Sequence, residues 1–170
     1  MTAVILGGFL FPGDMVIPVS GASKKDWNPH SFWHHPWGAS GVHKGIDIFA
    51  RNGAPVLSAQ TGVVVYQGTL SLGGNVVAII GPKWRICYYA HLESASVRKW
   101  QYVRRGEVIG VVGATGNAKG KPAHLHFAVI TAIPYVWRLE VGTYGWGKIY
   151  FLNPGELLNM KSNRQKVSRR

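Results

Sequence analysis

Two histidines stand two positions apart in the apolar run "AHLHF", His124 and His126. Residues i and i+2 of a strand share a face, so the two imidazoles project side by side. Neighbouring rings in an apolar strand gain little in packing over two leucines, which leaves chemistry as their reason. A second pair lies far upstream: His43 and Asp47 in "HKGIDIFA", four residues apart. Asp47 sits in an apolar strand pattern, where an unpartnered charge is costly. The chain has only three aspartates, so one placed there needs an explanation.

A metal ion supplies one. Hydrolytic zinc sites take three ligands from His, Asp or Glu and leave a fourth place for water. His43, Asp47 and one ring of the His124–His126 pair make such a set, and spacing does not say which ring. The other ring then lies within reach of the reacting water or the substrate oxygen. His91, at the end of "YYAHL", supplies a further acid/base group. A lone His-x-x-x-Asp or His-x-His is more often a hydrogen-bonded or surface pair than a ligand set. The two together, each in an apolar strand–turn context, carry the metal reading. His30, His34 and His35 lie in "WNPHSFWHHPWG", an aromatic stretch that reads as a long surface loop walling a substrate.

The elements that must position these residues are strands. "IDIFA", "APVLSA", "GVVVYQG", "NVVAII", "WRICYYAHL", "GEVIGVVG" and "AHLHFAVIT" follow one another with glycine punctuation. The pattern predicts an all-β domain of two packed antiparallel sheets with a groove, preceded by the irregular aromatic loop. "RKWQYVRR", residues 98–105, reads as a basic turn or strand edge, and "WRLEVGTYGWGKIYF" as a hairpin. Helical turns are expected after Pro154. With 170 residues the chain is long enough for one domain with a core.

The net charge is +12, with seven acidic residues, which points to an anionic partner. Much of the charge lies in residues 98–105 and in the tail "KSNRQKVSRR", away from the aromatic loop, so nucleic acid is not the expected partner. The tail suits contact with a polyanion. Cys87 is the only cysteine, so no internal disulfide forms; it reads as a small buried hydrophobe. The start, "MTAVILGGFLF", is too short for a membrane span and lacks a basic leader region. It reads as the remnant of a membrane anchor or signal in preference to an entering strand, because nothing nearby alternates.

Three of these stretches, "GVHKGIDIFARNGAPVLSAQTGVVVYQG", "YYAHL" and "GEVIGVVGATGNAKGKPAHLHF", resemble the lysostaphin-type, LytM-like zinc metallopeptidases. The resemblance covers about residues 41–130 and has its motifs in the family's order. It implies a duplicated-hybrid-motif-like β fold and one Zn2+ ion. It makes His43, Asp47 and His126 the metal ligands, and His91 and His124 the catalytic histidines. Asn75 in "GGNVV" matches a family asparagine and is the expected substrate-binding residue. The implied activity is hydrolysis of peptide bonds in bacterial peptidoglycan, outside the cytoplasm. Members that lose ligands act as silent wall-binding or amidase-activating modules; here all five positions are present. The tyrosine that some members carry upstream of the first ligand is missing from "HHPWGASG". The expected organisation is an N-terminal extension over 1–26, a catalytic domain over 27–158 and a basic tail over 159–170.

Overall fold

A computed structural model describes residues 8, 10 and 13–159. The apolar start, apart from Gly8 and Leu10, and the basic tail beyond residue 159 lie outside the described residues. Nine antiparallel strands form the body: β1 (Ile46–Phe49), β2 (Pro55–Leu57), β3 (Gly62–Leu70), β4 (Gly74–Ile80), β5 (Arg85–Ala95), β6 (Tyr102–Val103), β7 (Val108–Val112), β8 (His124–Thr131) and β9 (Phe151–Leu152). The order β1-β8-β5-β4-β3-β6 makes the main layer, and β2 and β7 pair with each other. The two parts are one hydrogen-bonded sheet. The first half of β5 pairs with β8 up to Ala90, and its second half pairs with β7 from Leu92 onward. Among the described residues no helix is long and apolar enough to cross a membrane.

The sequence pattern explains the burial. β8 is apolar on both faces and is buried along most of its length, as a central strand must be. The core gathers Ile46, Ile48, Val56, Ile79, Tyr89, Leu92, Ile109, Leu125 and Phe127 from both parts of the sheet. Tyr89 is fully buried, and its hydroxyl oxygen accepts the Ala59 N–H at 2.8 Å, which pairs the buried phenol oxygen and the amide together. Met15 and Val19 join the same core, and Val19 bridges to Val56 of β2. The chain before the first strand is therefore laid along the body.

The expected hairpin over residues 137–151 does not form. That segment turns through short 3-10 stretches at Val136–Arg138 and Gly145–Ile149 before β9. Local bonds win there: Gly145 N–H donates to the Gly142 carbonyl and Gly147 N–H to that of Tyr144. Trp137, Leu139, Val141 and Trp146 stay exposed, so no apolar face is available to register two strands. Residues 154–159 are helical, as the proline predicts.

Cys87 lies in β5, fully buried, and burial pushes its thiol up to about 12. The native protein should leave a thiol-specific reagent unreacted at pH 8, and one equivalent should react after denaturation. Prompt labelling of the native protein would contradict this burial.

Candidate active site

The register of three strands builds the site. Asp47 of β1 lies opposite His126 of β8, and Phe49 opposite His124. On the other side of β8, Ala90 of β5 lies opposite His126 and Tyr88 opposite Ala128. Asp47, His126 and Tyr88 therefore share one face, which is the floor of an open groove of about 640 Å³. His43 enters from the loop just before β1. Its donor atom meets those of Asp47 and His126: His43 Nε2 is 3.1 Å from Asp47 Oδ1 and 3.2 Å from His126 Nδ1, and His126 Nδ1 is 2.8 Å from Asp47 Oδ1.

His43 is held on two sides. Its Nδ1 lies 3.0 Å from the Ser31 carbonyl, which fixes that nitrogen as the N–H donor. The indole of Trp37 stacks on the ring, with centroids 4.1 Å apart. The neutral tautomer then directs the Nε2 lone pair at the Asp47 carboxylate, an acceptor facing an acceptor. A cation between them relieves that repulsion, and two imidazoles with one carboxylate are a donor set that zinc takes. Burial pushes the Asp47 carboxyl up. The close pairing with the His126 ring, and then the His43 ring, outweighs it and holds the group well below the usual carboxylate range. Asp47 is thus a carboxylate at any pH where the fold is expected to work.

His91 reaches the groove by a backbone irregularity. Regular alternation after Tyr88 and Ala90 would turn it to the opposite face. Instead Ala90 and His91 together oppose Val76 of β4, a β-bulge, and His91 adopts the left-handed region with φ 64°. Its Nδ1–H donates to the Thr115 carbonyl at 2.9 Å, leaving the Nε2 lone pair for the groove. Burial, then the charges of His126 and His124, push its pKa down to about 4. His124 is set in the same way: Nδ1–H donates to the Pro122 carbonyl at 2.8 Å, and its ring lies 5.0 Å from that of His91 and 5.5 Å from Phe49.

The structure thus brings together His43, Asp47, His91, His124 and His126, and His30, His34 and His35 remain exposed on the loop, outside the cluster. Asn75 does not line the groove. Its side chain accepts from Thr69 Oγ1 at 3.1 Å and donates to the Glu93 carbonyl at 2.9 Å. Its backbone N–H donates to Thr115 Oγ1, the residue whose carbonyl holds His91.

The family model of peptidase family M23 matches residues 41–136. The chain belongs to this family. Among M23-type relatives, the L-Ala--D-Glu endopeptidase of Bacillus subtilis is 35% identical over 133 residues, 73% of this chain and 38% of that protein. The peptidoglycan DD-endopeptidase ShyC of Vibrio cholerae is 33% identical over 104 residues, 61% of this chain and 24% of that one. The chain spans about two fifths or less of the curated relatives it matches first. The catalytic domain of lysostaphin from Staphylococcus simulans superposes with a TM-score of 0.62 at 26% identity, covering 81% of this chain and 98% of that domain. A zinc-containing peptidase from Vibrio cholerae superposes with a TM-score of 0.52 at 32% identity, over 68% of this chain and 35% of that one.

Sequence reasoning did not single out several groove residues of this M23 domain, Trp37, Phe49, Tyr88 and Phe151, nor Thr115, whose carbonyl holds His91. Tyr88 stands near His126, with ring centroids 6.4 Å apart. Burial raises its pKa, so it is a neutral phenol. It is a groove tyrosine from β5 where the stretch before the first ligand has none. Strand alternation from His126 across to β5 would have found it.

Gly45, between His43 and Asp47, has a steric role. A Cβ there would lie 2.5 Å from the Phe127 carbonyl oxygen and 3.0 Å from His126 Cε1 and Nε2. Gly45→Ala should therefore part β1 from β8 and tilt His126. A displacement on this scale should lower kcat/KM by about 10²-fold. Steady-state kinetics beside a zinc titration checks it, and unchanged values for both would show that the neighbours give way freely.

Proposed function

We propose that this chain is a zinc-dependent endopeptidase that hydrolyses peptide bonds in the cross-bridges or stem peptides of bacterial peptidoglycan. The observation that carries this reading is the meeting of His43 Nε2, Asp47 Oδ1 and His126 Nδ1 on the floor of an open groove. These three residues would hold the ion. Bound zinc supplies Lewis-acid polarisation of a peptide carbonyl and lowers the pKa of a water to about 7.

The chain's own residues do the rest. His91 and His124 each have Nδ1 fixed by a backbone carbonyl, so both present Nε2 to the substrate in one tautomer. One ring takes the proton of the attacking water, and a protonated ring returns it to the leaving amine. The protonated ring also offers a hydrogen bond to the developing oxyanion. Asn75 acts at one remove, through Thr115. Lys44 and Lys121 line the groove and suit the carboxylates of stem peptides. Residues 27–158 form the catalytic domain in this reading, and the tail over 159–170 faces an anionic envelope polymer. A wall substrate places the activity in the extracytoplasmic envelope.

The test is digestion of purified sacculi with zinc and with chelator, the released muropeptides being weighed by mass spectrometry. New free amines at one defined bond, lost with chelator, are expected. Bound zinc with no product from sacculi of several wall chemistries would overturn the enzymatic reading in favour of a silent wall-binding or amidase-activating module. The complete five-residue set has no use in such a module.

A further inference from the structure

The basic stretch 98–105 is not used by the site. It forms the outer edge of the main layer, where β6 pairs only with the start of β3: Tyr102 with Val63 and Val103 with Gly62. The groove lies at the other end of the β3–β4 hairpin, whose turn residues Leu72 and Gly73 line it. Nine residues of β3 separate the two places by roughly 25–30 Å at the usual strand rise.

Trp100 is the residue that asks for an explanation. Its φ is 70°, in the left-handed region that a bulky side chain rarely enters. Two hydrogen bonds impose it: Trp100 N–H donates to the Val64 carbonyl at 2.7 Å, and Val64 N–H to the Gln101 carbonyl at 2.9 Å. Packing gives nothing back, because the indole is 70% exposed. A glycine would satisfy the backbone without strain. Strain kept at an exposed aromatic signals a contact with something outside the chain.

Its surroundings say what. Tyr102 is 60% exposed, and Lys99 Nζ lies 5.0 Å from the centroid of the Trp100 ring. Arg98, Arg104 and Arg105 are exposed beside them. Arg104 and Arg105 also edge a recess of about 310 Å³ with Gln60, Thr61 and Tyr102. Two acidic groups lie close: Asp14, 3.8 Å from Arg105, and Glu107, whose carboxylate accepts the Arg104 N–H. Among the described residues Arg98, Lys99 and Arg104 enter no ion pair. Flat aromatic faces beside guanidinium forks fit a chain of sugars carrying anionic groups.

We propose that the Arg98–Arg105 edge is a second binding site, taking a polyanionic sugar polymer of the wall and holding the enzyme on its substrate. The class of polymer rests on the wall-peptidase reading; the existence of the site does not. The groove cuts while this edge grips another part of the same wall, so the edge raises local concentration without touching the scissile bond.

The test is co-sedimentation of the full chain with sacculi, before and after acid removal of their phosphodiester-linked polymers. Parent, Trp100→Gly and the pair Arg104→Ser/Arg105→Ser are compared at low and high salt. The parent should bind decorated sacculi in a salt-sensitive way and stripped sacculi at least tenfold more weakly. Both variants should lose at least tenfold on decorated sacculi. Trp100→Gly should meanwhile melt about 2–4 °C higher, the size expected when a left-handed strain is relieved in a domain of this size, an outcome that a packing role for the indole would reverse. Equal binding by parent and variants, or a lowered melting temperature for Trp100→Gly, overturns the proposal. So does tighter retention on single-stranded DNA or anionic vesicles than on decorated sacculi. Cleavage of a short soluble wall peptide should be the same in all three proteins. Its absence in all three would count against the peptidase reading and leave the binding result standing.

Discussion

His126→Ala should lose zinc binding and hydrolysis together. Three donor atoms within 3.2 Å of one another make the site, and this substitution removes one of them. Two donors remain where structural and catalytic zinc sites use three or four protein ligands. The fold should survive, because the His126 side chain is at the groove surface and not in the core, so its truncation opens no enclosed cavity. Circular dichroism should be unchanged, bound zinc after dialysis should fall to background, and muropeptide release should drop below detection. Asp47→Asn isolates the electrostatic part. It keeps the size and removes the charge that His43 and His126 both face. It should weaken zinc severely while leaving the strands paired. Full zinc content and full turnover in the His126 variant would break the ligand assignment.

His91→Ala separates metal holding from proton handling. The ring is no part of the three-atom cluster, so zinc should stay bound. Turnover should fall by about 10²–10⁴, the usual loss when general acid–base help is removed. The loss belongs in kcat more than in KM, since the groove keeps its other lining side chains, Lys44, Lys121, Trp37 and Phe151 among them. The backbone adds a second readout. At φ 64° an alanine still bears the left-handed cost and a glycine does not. His91→Gly should be more stable than His91→Ala by about 1 kcal/mol, with the same loss of activity. Unchanged turnover in both variants would remove His91 from the reaction.

Much of this was legible in the sequence, for identifiable reasons. Period-two alternation and glycine punctuation placed the strands, and His124 and His126 share a strand whose spacing alone sets them apart from core residues. Asp47 was visible because charge is costly in an apolar strand. His91 stood out as a further acid/base candidate at the end of its strand, but the bulge that turns it into the groove depends on pairing with β4 and leaves no mark on local composition. Asn75 shows the reverse: its match to a family asparagine suggested a substrate contact, and pairing commits its side chain to Thr69 and Glu93. Trp37 was hidden among seven tryptophans, and only the path of its loop brings it onto His43. The segment before β9 misled because aromatic–glycine spacing looks the same in a hairpin and in successive tight turns.

Asp47, His91, His124 and His126 stand on β1, β5 and β8, while the rim of the groove is made by Trp37–Ser40, Leu72–Gly73 and Asn117–Lys121, all between strands. Four of the five candidate site residues therefore stand on strands and the rim on connections, with His43 the exception: it sits in the loop just before β1, held by the Ser31 carbonyl and the Trp37 ring. Such a division makes part of the rim modular: exchanging the connections at Leu72–Gly73 and Asn117–Lys121 between related scaffolds would re-tailor which substrate is admitted, while the 37–40 loop is tied to the centre by the packing of Trp37 on His43.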